Sequence, residues 1–316
     1  MHTSMNEPAA SLKSQVADEI PVVFDCGGHE LIGMVHRPAA ARSRGMLAMV
    51  AGGPQYRGGV CRMQVQMARA LAASGIPVMR YDHRGMGDSE GPFRGFQDVA
   101  DDLAAAIQAF RNQVPGLREV VLWGGCDGAS AVLINAWRYP EVTGLVLGNP
   151  WVHNAETGDV VAVQHYSQRM RDKDFWLKVL RLQYNPLPAL ATLARRGLRG
   201  LLARLGGGRS ATADPADNPS APFLPRMRLG LQRFRGDVLL LMSGRSLLSK
   251  EFDELLRSDP GWQQAARAPR SLLRHDIPDG DQAFSTIATR QEVTHVTRQW
   301  LLQPGAQPQG LPPAVP

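Results

Sequence analysis

Cysteine is scarce. Cys26, Cys61 and Cys126 lie far apart along 316 positions. So few thiols at such spacing argue against a disulfide framework or a zinc site and fit a reducing compartment. Long apolar runs are also missing. The longest, 120–123 and 238–242, are strand-sized and far short of a membrane span. Residues 1–20 are polar, with scattered charges and none of the apolar character a secretory signal needs, so a cytoplasmic protein is expected. No helix-turn-helix, zinc-finger or RNA-recognition pattern occurs, and no nucleic-acid partner is expected. The glycine-rich segments match neither G-x-x-x-x-G-K-[ST] nor a dinucleotide fingerprint, so neither a nucleotide cofactor nor a metal is implied.

What is present suits one large α/β domain or two small ones. Apolar residues make up 44% of the chain, ample for a buried core. The net charge of +6 is uneven: 14 of the 35 basic residues but only 4 of the 29 acidic ones fall in 165–235, leaving 21 against 25 elsewhere. Residues 20–25 and 30–36 flank Gly27-Gly28 and read as a hairpin. Strands at 46–51, 76–82, 119–123 and 144–148 alternate with helices at 60–73, 98–111 and 128–137. That alternation predicts βαβ units and a mostly parallel sheet with helices on both faces. Strand patterns return at 237–243 and 271–277, and a helix closes near 285–302.

The expected organisation is a flexible stretch at 1–19, a core at 20–150 and 232–302, and a helical cap inserted at 151–231. Five prolines in 303–316 predict a disordered tail. Within the cap, the leucines of 190–205 share one helical face opposite Arg195, Arg196 and Arg199. Two readings follow: a lid over the active site, or a cationic helix in peripheral contact with the inner membrane face. Gly197 and Gly200 each weaken a free-standing helix by about 1 kcal/mol, which favours the lid. Trp151, Phe175, Trp176 and Tyr184 suit either an apolar acyl pocket or ordinary lid packing.

The most informative segment is 120–130, where an apolar strand runs into Gly124-Gly125-Cys126-Asp127-Gly128 and a small-residue helix follows. A nucleophile on a sharp strand-to-helix turn needs glycines two residues either side, where side chains would clash. The helix N-terminus is expected to lower the Cys126 pKa, and the Asp127 amide to donate to an oxyanion. The alternative is a buried structural cysteine in a glycine-rich turn.

Further motifs carry a resemblance to the α/β-hydrolase superfamily. Tyr81-Asp82-His83-Arg84-Gly85-Met86-Gly87-Asp88-Ser89 is similar to that superfamily's D-x-R-G-x-G-x-S turn, in which His83 would be a turn residue. Ala51-Gly52-Gly53-Pro54-Gln55 occupies the place of its oxyanion loop. Pro54 has no N–H, so a second donor falls to Gly53 or Gln55. More narrowly, the segments 52–57, 84–91 and 122–127 resemble the hydrolases of exosortase A gene neighbourhoods. These form a bacterial family tied to exopolysaccharide and protein-sorting systems. The likeness runs over roughly residues 20–302.

The resemblance also implies an acid after a late strand and a histidine after the last, and this chain departs at both. Ser246 stands at the acid position and Gln282 at the histidine position. Glutamine takes no proton near neutral pH, and serine does not orient an imidazolium as a carboxylate does. His275 lies roughly 20 Å of extended chain before Gln282, and His295 roughly three to four helical turns beyond it. With His153 and His165 in the insertion they are the candidate replacement bases; Asp281, Asp253 and Glu251 are the candidate carboxylates. Three classes of function remain: a cysteine hydrolase or acyltransferase acting on a small-molecule acyl substrate, a pseudoenzyme that binds a ligand or partner, and an accessory protein at the membrane surface.

Overall fold

A computed structural model of the chain describes residues 17–49, 56–153, 218–219 and 221–303. The strands are β1 (Asp18–Cys26), β2 (His29–Arg37), β3 (Arg44–Met49), β4 (Val78–Tyr81), β5 (Glu119–Gly125), β6 (Val142–Gly148), β7 (Asp237–Ser243) and β8 (Ser271–Ile277). The helices, numbered among the described residues, are α1 (Met63–Ala72), α2 (Ala100–Gln113), α3 (Asp127–Asn135), α4 (Phe223–Arg233), α5 (Leu247–Ser258), α6 (Pro260–Ala266) and α7 (Ile287–Leu302).

The eight described strands form one sheet in the order β1-β2-β4-β3-β5-β6-β7-β8. β1 and β2 pair antiparallel, as do β2 and β4, and every later pairing is parallel. The hairpin closes on two residues, Gly27 and Gly28, at φ of 62° and 83°. Only glycine takes two such angles in succession without cost, and the turn they make matches the strand twist. β4 and β7 are buried at every position, as strands covered on both faces must be. The last strand is a polar edge, with Arg274 and Asp276 facing outward.

Helices cover both faces because their apolar stripes match the sheet. Leu103, Ile107 and Phe110 of α2 pack on one side with Val132 of α3 and Met227 and Leu231 of α4. Met67 and Leu71 of α1 meet Val293, Val296 and Trp300 of α7 on the other. Burying side chains of the size of Phe110 and Trp300 contributes roughly 1.5–3 kcal/mol each. The architecture is the expected one. The sequence patterns did not reveal α5 and α6, whose caps are visible in hindsight. Ser246 caps α5 through the Ser249 amide, and Asp259 caps α6 ahead of Pro260.

Most of the segment 151–231, with the stretch 190–205, lies outside the described residues, as do 1–16 and 304–316. The boundary drawn at 231 falls inside α4. That helix packs on α3 in the layer beneath the sheet, so this layer is already under way at residue 223.

Candidate active site at the end of strand β5

Cys126 links β5 to α3 with φ 55° and ψ −125°, a conformation that costs an L-residue about 1–3 kcal/mol. Its amide donates to the Gly148 carbonyl at 2.8 Å. Its carbonyl accepts from the amides of Ala129 at 3.1 Å and Trp151 at 3.1 Å. Tight packing below the turn explains the flanking glycines. A Cβ on Gly124 would sit 2.5 Å from the Gly128 carbonyl oxygen and 2.7 Å from the Ala129 nitrogen. The D-x-R-G turn supports the site from one side. Buried Asp82 receives the Asp88 amide at 3.2 Å and the Arg57 guanidinium, and Arg84 forks onto Asp102.

A cavity of about 180 Å³ opens at the thiol, walled by Val60, Met63, Gln64, Trp123, Asp127, Gln282 and Phe284. Of the residues singled out from sequence, it brings together Cys126, Asp127 and Gln282. Ser246 stands directly behind Gln282: its hydroxyl donates to Gln282 Oε1. The Gln282 amide in turn hydrogen-bonds the Cys126 sulfur and donates to the Asn149 carbonyl at 3.4 Å. Cys126, Gln282 and Ser246 thus form a chain of hydrogen-bonded side chains in the order that the resemblance implies for nucleophile, histidine and acid. Since Oε1 is taken by Ser246, Gln282 faces the sulfur as a donor. It stabilises a thiolate and cannot remove the proton that makes one.

Burial pushes the Cys126 thiol above its ordinary value, and the Asp127 carboxylate adds to the rise. Hydrogen bonds from Gln282 and from the Asp127 amide act in the opposite direction and do not prevail. The direction is opposite to the lowered pKa expected from sequence: desolvation of the charged form outweighs these two hydrogen bonds. The Asp127 amide faces the sulfur. Gly53 and Gln55 lie outside the described residues.

Asn149, fully buried at φ 47°, holds the surrounding loops together. Its Nδ2 donates to Ser243 Oγ at 2.6 Å and to the Gln282 carbonyl at 2.9 Å. Its Oδ1 accepts from the Ser243 amide and the Ser249 hydroxyl, both at 2.8 Å.

None of the described candidate histidines lines the cavity. His275 pairs with Glu292 at 2.8 Å on the face toward α7, and His295 lies beside Arg298. His83 is buried in its turn and stacks on Phe93, and burial lowers its pKa. His153 Nδ1 pairs with buried Glu251 at 3.0 Å. Asp253 is tied to Arg274. The Asp281 carboxylate is turned into its own loop, where the Ser285 hydroxyl and the amides of Ser285 and Ala283 hold its pKa down. His165, Phe175, Trp176 and Tyr184 lie outside the described residues. The walls contributed by Val60, Met63, Gln64, Trp123 and Phe284 had not been singled out from sequence. They come from separate segments, and apart from Gln64 only their apolar character hinted at a role.

Residues 44–184 match the family model described as serine aminopeptidase, S33. No curated protein matches the chain in sequence. Among solved structures, the chain is similar to the esterase Pf2001 of Pyrococcus furiosus, with TM-score 0.58 and 12% identity, covering 92% of this chain and 94% of that one. It is similar to a dienelactone hydrolase of Anabaena variabilis at TM-score 0.55 and 14% identity, covering 91% and 98%. Est1E of Butyrivibrio proteoclasticus, solved with ferulic acid bound, superposes at TM-score 0.54 and 12% identity over 89% and 98%. At these identities the likeness lies in the fold.

Proposed function

We propose that this chain, which has the α/β-hydrolase fold, cleaves an ester or thioester of a small acyl compound with Cys126 as nucleophile. The observation that carries the reading is the position of Cys126. A strained turn presents the thiol to a cavity, with the Asp127 amide facing the sulfur. Sγ attacks the carbonyl carbon and the π electrons move to oxygen. The Asp127 amide and a donor from Gly53 or Gln55 receive the oxyanion. The alcohol or thiol leaves, and water then hydrolyses the acyl-enzyme. With Gln282 a donor, the thiol proton passes to solvent, so turnover is slow at neutral pH and climbs as pH rises. Esterase and dienelactone hydrolase neighbours support an ester substrate.

The narrower assignment to the exosortase-associated hydrolases rests on the motifs at 52–57, 84–91 and 122–127. A cytoplasmic location and peripheral membrane contact through the cap belong to the same proposal. A second reading, ligand or partner binding without turnover, is favoured by the raised thiol pKa and the missing base.

The test is steady-state hydrolysis of an acyl-ester and acyl-thioester panel by wild type and Cys126→Ala. Turnover that rises with pH and vanishes in Cys126→Ala is expected. No turnover by the wild type, with saturable thermal stabilisation by one of the same compounds, would establish the binding reading instead.

A further inference from the structure

At the sheet edge opposite Cys126, a second cavity of about 250 Å³ is enclosed by the turn after α3, the end of α4 and the residue preceding β8. Trp137, Thr143, Arg233, Phe234, Arg235 and Arg270 form its main walls, and among the described residues every charged side chain in its lining is an arginine. We propose that this cavity binds a phosphate monoester through these guanidinium groups.

Three features support that ligand. Arg270 is held in place by Asp237 at two points, with Nε 2.9 Å from Oδ1 and Nη2 on Oδ2, and its Nη1 group takes no part in that pairing. The Asp237 carboxylate is shared with Arg44 at 4.0 Å and with the Ser271 hydroxyl at 2.8 Å, and Glu119, 3.5 Å from Arg44, is the second carboxylate beside these two guanidinium groups. Arg235 is oriented by the carbonyls of Gln232 at 2.7 Å and Phe234 at 3.3 Å at the end of α4. Carbonyl dipoles fix a guanidinium without neutralising it, and no carboxylate among the described residues pairs with Arg235. Third, the Trp137 ring, anchored through its N–H to the Ile134 carbonyl at 3.0 Å, carries two cations. Arg138 lies 4.5 Å and Arg233 4.6 Å from its centroid. Planar forks held in position around one opening match the oxygens of a dianionic phosphate and lose little side-chain freedom on binding it. A soluble phosphate ester and an anionic lipid headgroup present this same chemistry.

The test uses the full chain, titrated calorimetrically with inorganic phosphate at constant ionic strength. The proteins are wild type, Cys126→Ala, Arg235→Gln and Arg233→Gln/Arg235→Gln. Saturable binding is expected in wild type and Cys126→Ala, weakened roughly tenfold or more in the double variant. Arg235 is exposed, so Arg235→Gln alone preserves the test if the double variant misfolds; it is expected to weaken binding several-fold. Co-sedimentation with phosphatidylcholine vesicles containing phosphatidic acid separates the sources. Vesicle binding lost in the variants supports a lipid headgroup, and phosphate binding without vesicle binding supports a soluble ester. Binding that fails to saturate, or that Arg235→Gln and the double variant leave unchanged, overturns the proposal.

Discussion

In the wild-type chain Gln282 accepts from Ser246 and donates toward Cys126, so Gln282→His puts an imidazole between the same two neighbours. A thiol raised above 9.0 is thiolate at pH 7 to the extent of about 1% or less. A paired imidazolium brings cysteine pKa values to about 3.5–7.5, which raises that population by on the order of a hundredfold. Nucleophilicity falls with basicity, with a Brønsted slope of about 0.4–0.5, and a drop of two units gives back roughly a factor of ten. The net expectation at pH 7 is alkylation of Cys126 by iodoacetamide roughly tenfold faster in Gln282→His than in wild type. In the alkaline range the order reverses, because the wild-type thiolate is then fully formed and more basic. Peptide-resolved mass spectrometry separates Cys126 from exposed Cys61 and buried Cys26. Adding Ser246→Asp should enlarge the neutral-pH gain by stabilising the imidazolium. Superimposable wild-type and Gln282→His profiles would refute the placement of residue 282 against the sulfur. A wild-type rate already level near pH 7 would refute the dominance of burial.

Two other perturbations test the frame around the site. Gly124→Ala drives a methyl into main-chain atoms at 2.5–2.7 Å and should cost about 1–3 kcal/mol in denaturant unfolding, with loss of Cys126 reactivity. Buried His36 accepts from Arg80 Nε at 3.0 Å, and burial together with Arg80 lowers its pKa to about 4. Unfolded, it titrates near 6.5, so between these values the unfolded chain binds the extra proton. Stability is therefore complete above about pH 6.5 and falls by about 3 kcal/mol as pH drops through 4. His36→Gln, which keeps an acceptor for Arg80, should lose that part of the pH dependence, and equal slopes in the two proteins would exclude it.

Buried parallel strands announce themselves as short apolar runs, which is why β5 and β7 were legible from sequence to within a residue or two. α5 was not, because its start at Leu247 directly follows Ser246, the position where the resemblance puts an acid-bearing loop. Cys126, Ser246 and Gln282 were legible because local motifs fix them to strand ends. Met63, Gln64, Trp123 and Phe284 were not, since their convergence depends on how separate loops cross the sheet edge. The direction of the Cys126 pKa shift failed for a related reason. The helix terminus is a sequence-local feature, whereas desolvation is set by everything packed around the sulfur.

The Asn149 network bears on how this site tolerates chemical change. The ends of β6 and β7, the start of α5 and the loop after β8 are tied to one carboxamide that takes no part in the relay. The loop that carries position 282 is therefore held through its main chain, by way of the Gln282 carbonyl, and not through the side chain at that position. An exchange of the side chain at 282 leaves those four ties in place, so a proton relay can be built there on loops whose spacing Asn149 sets.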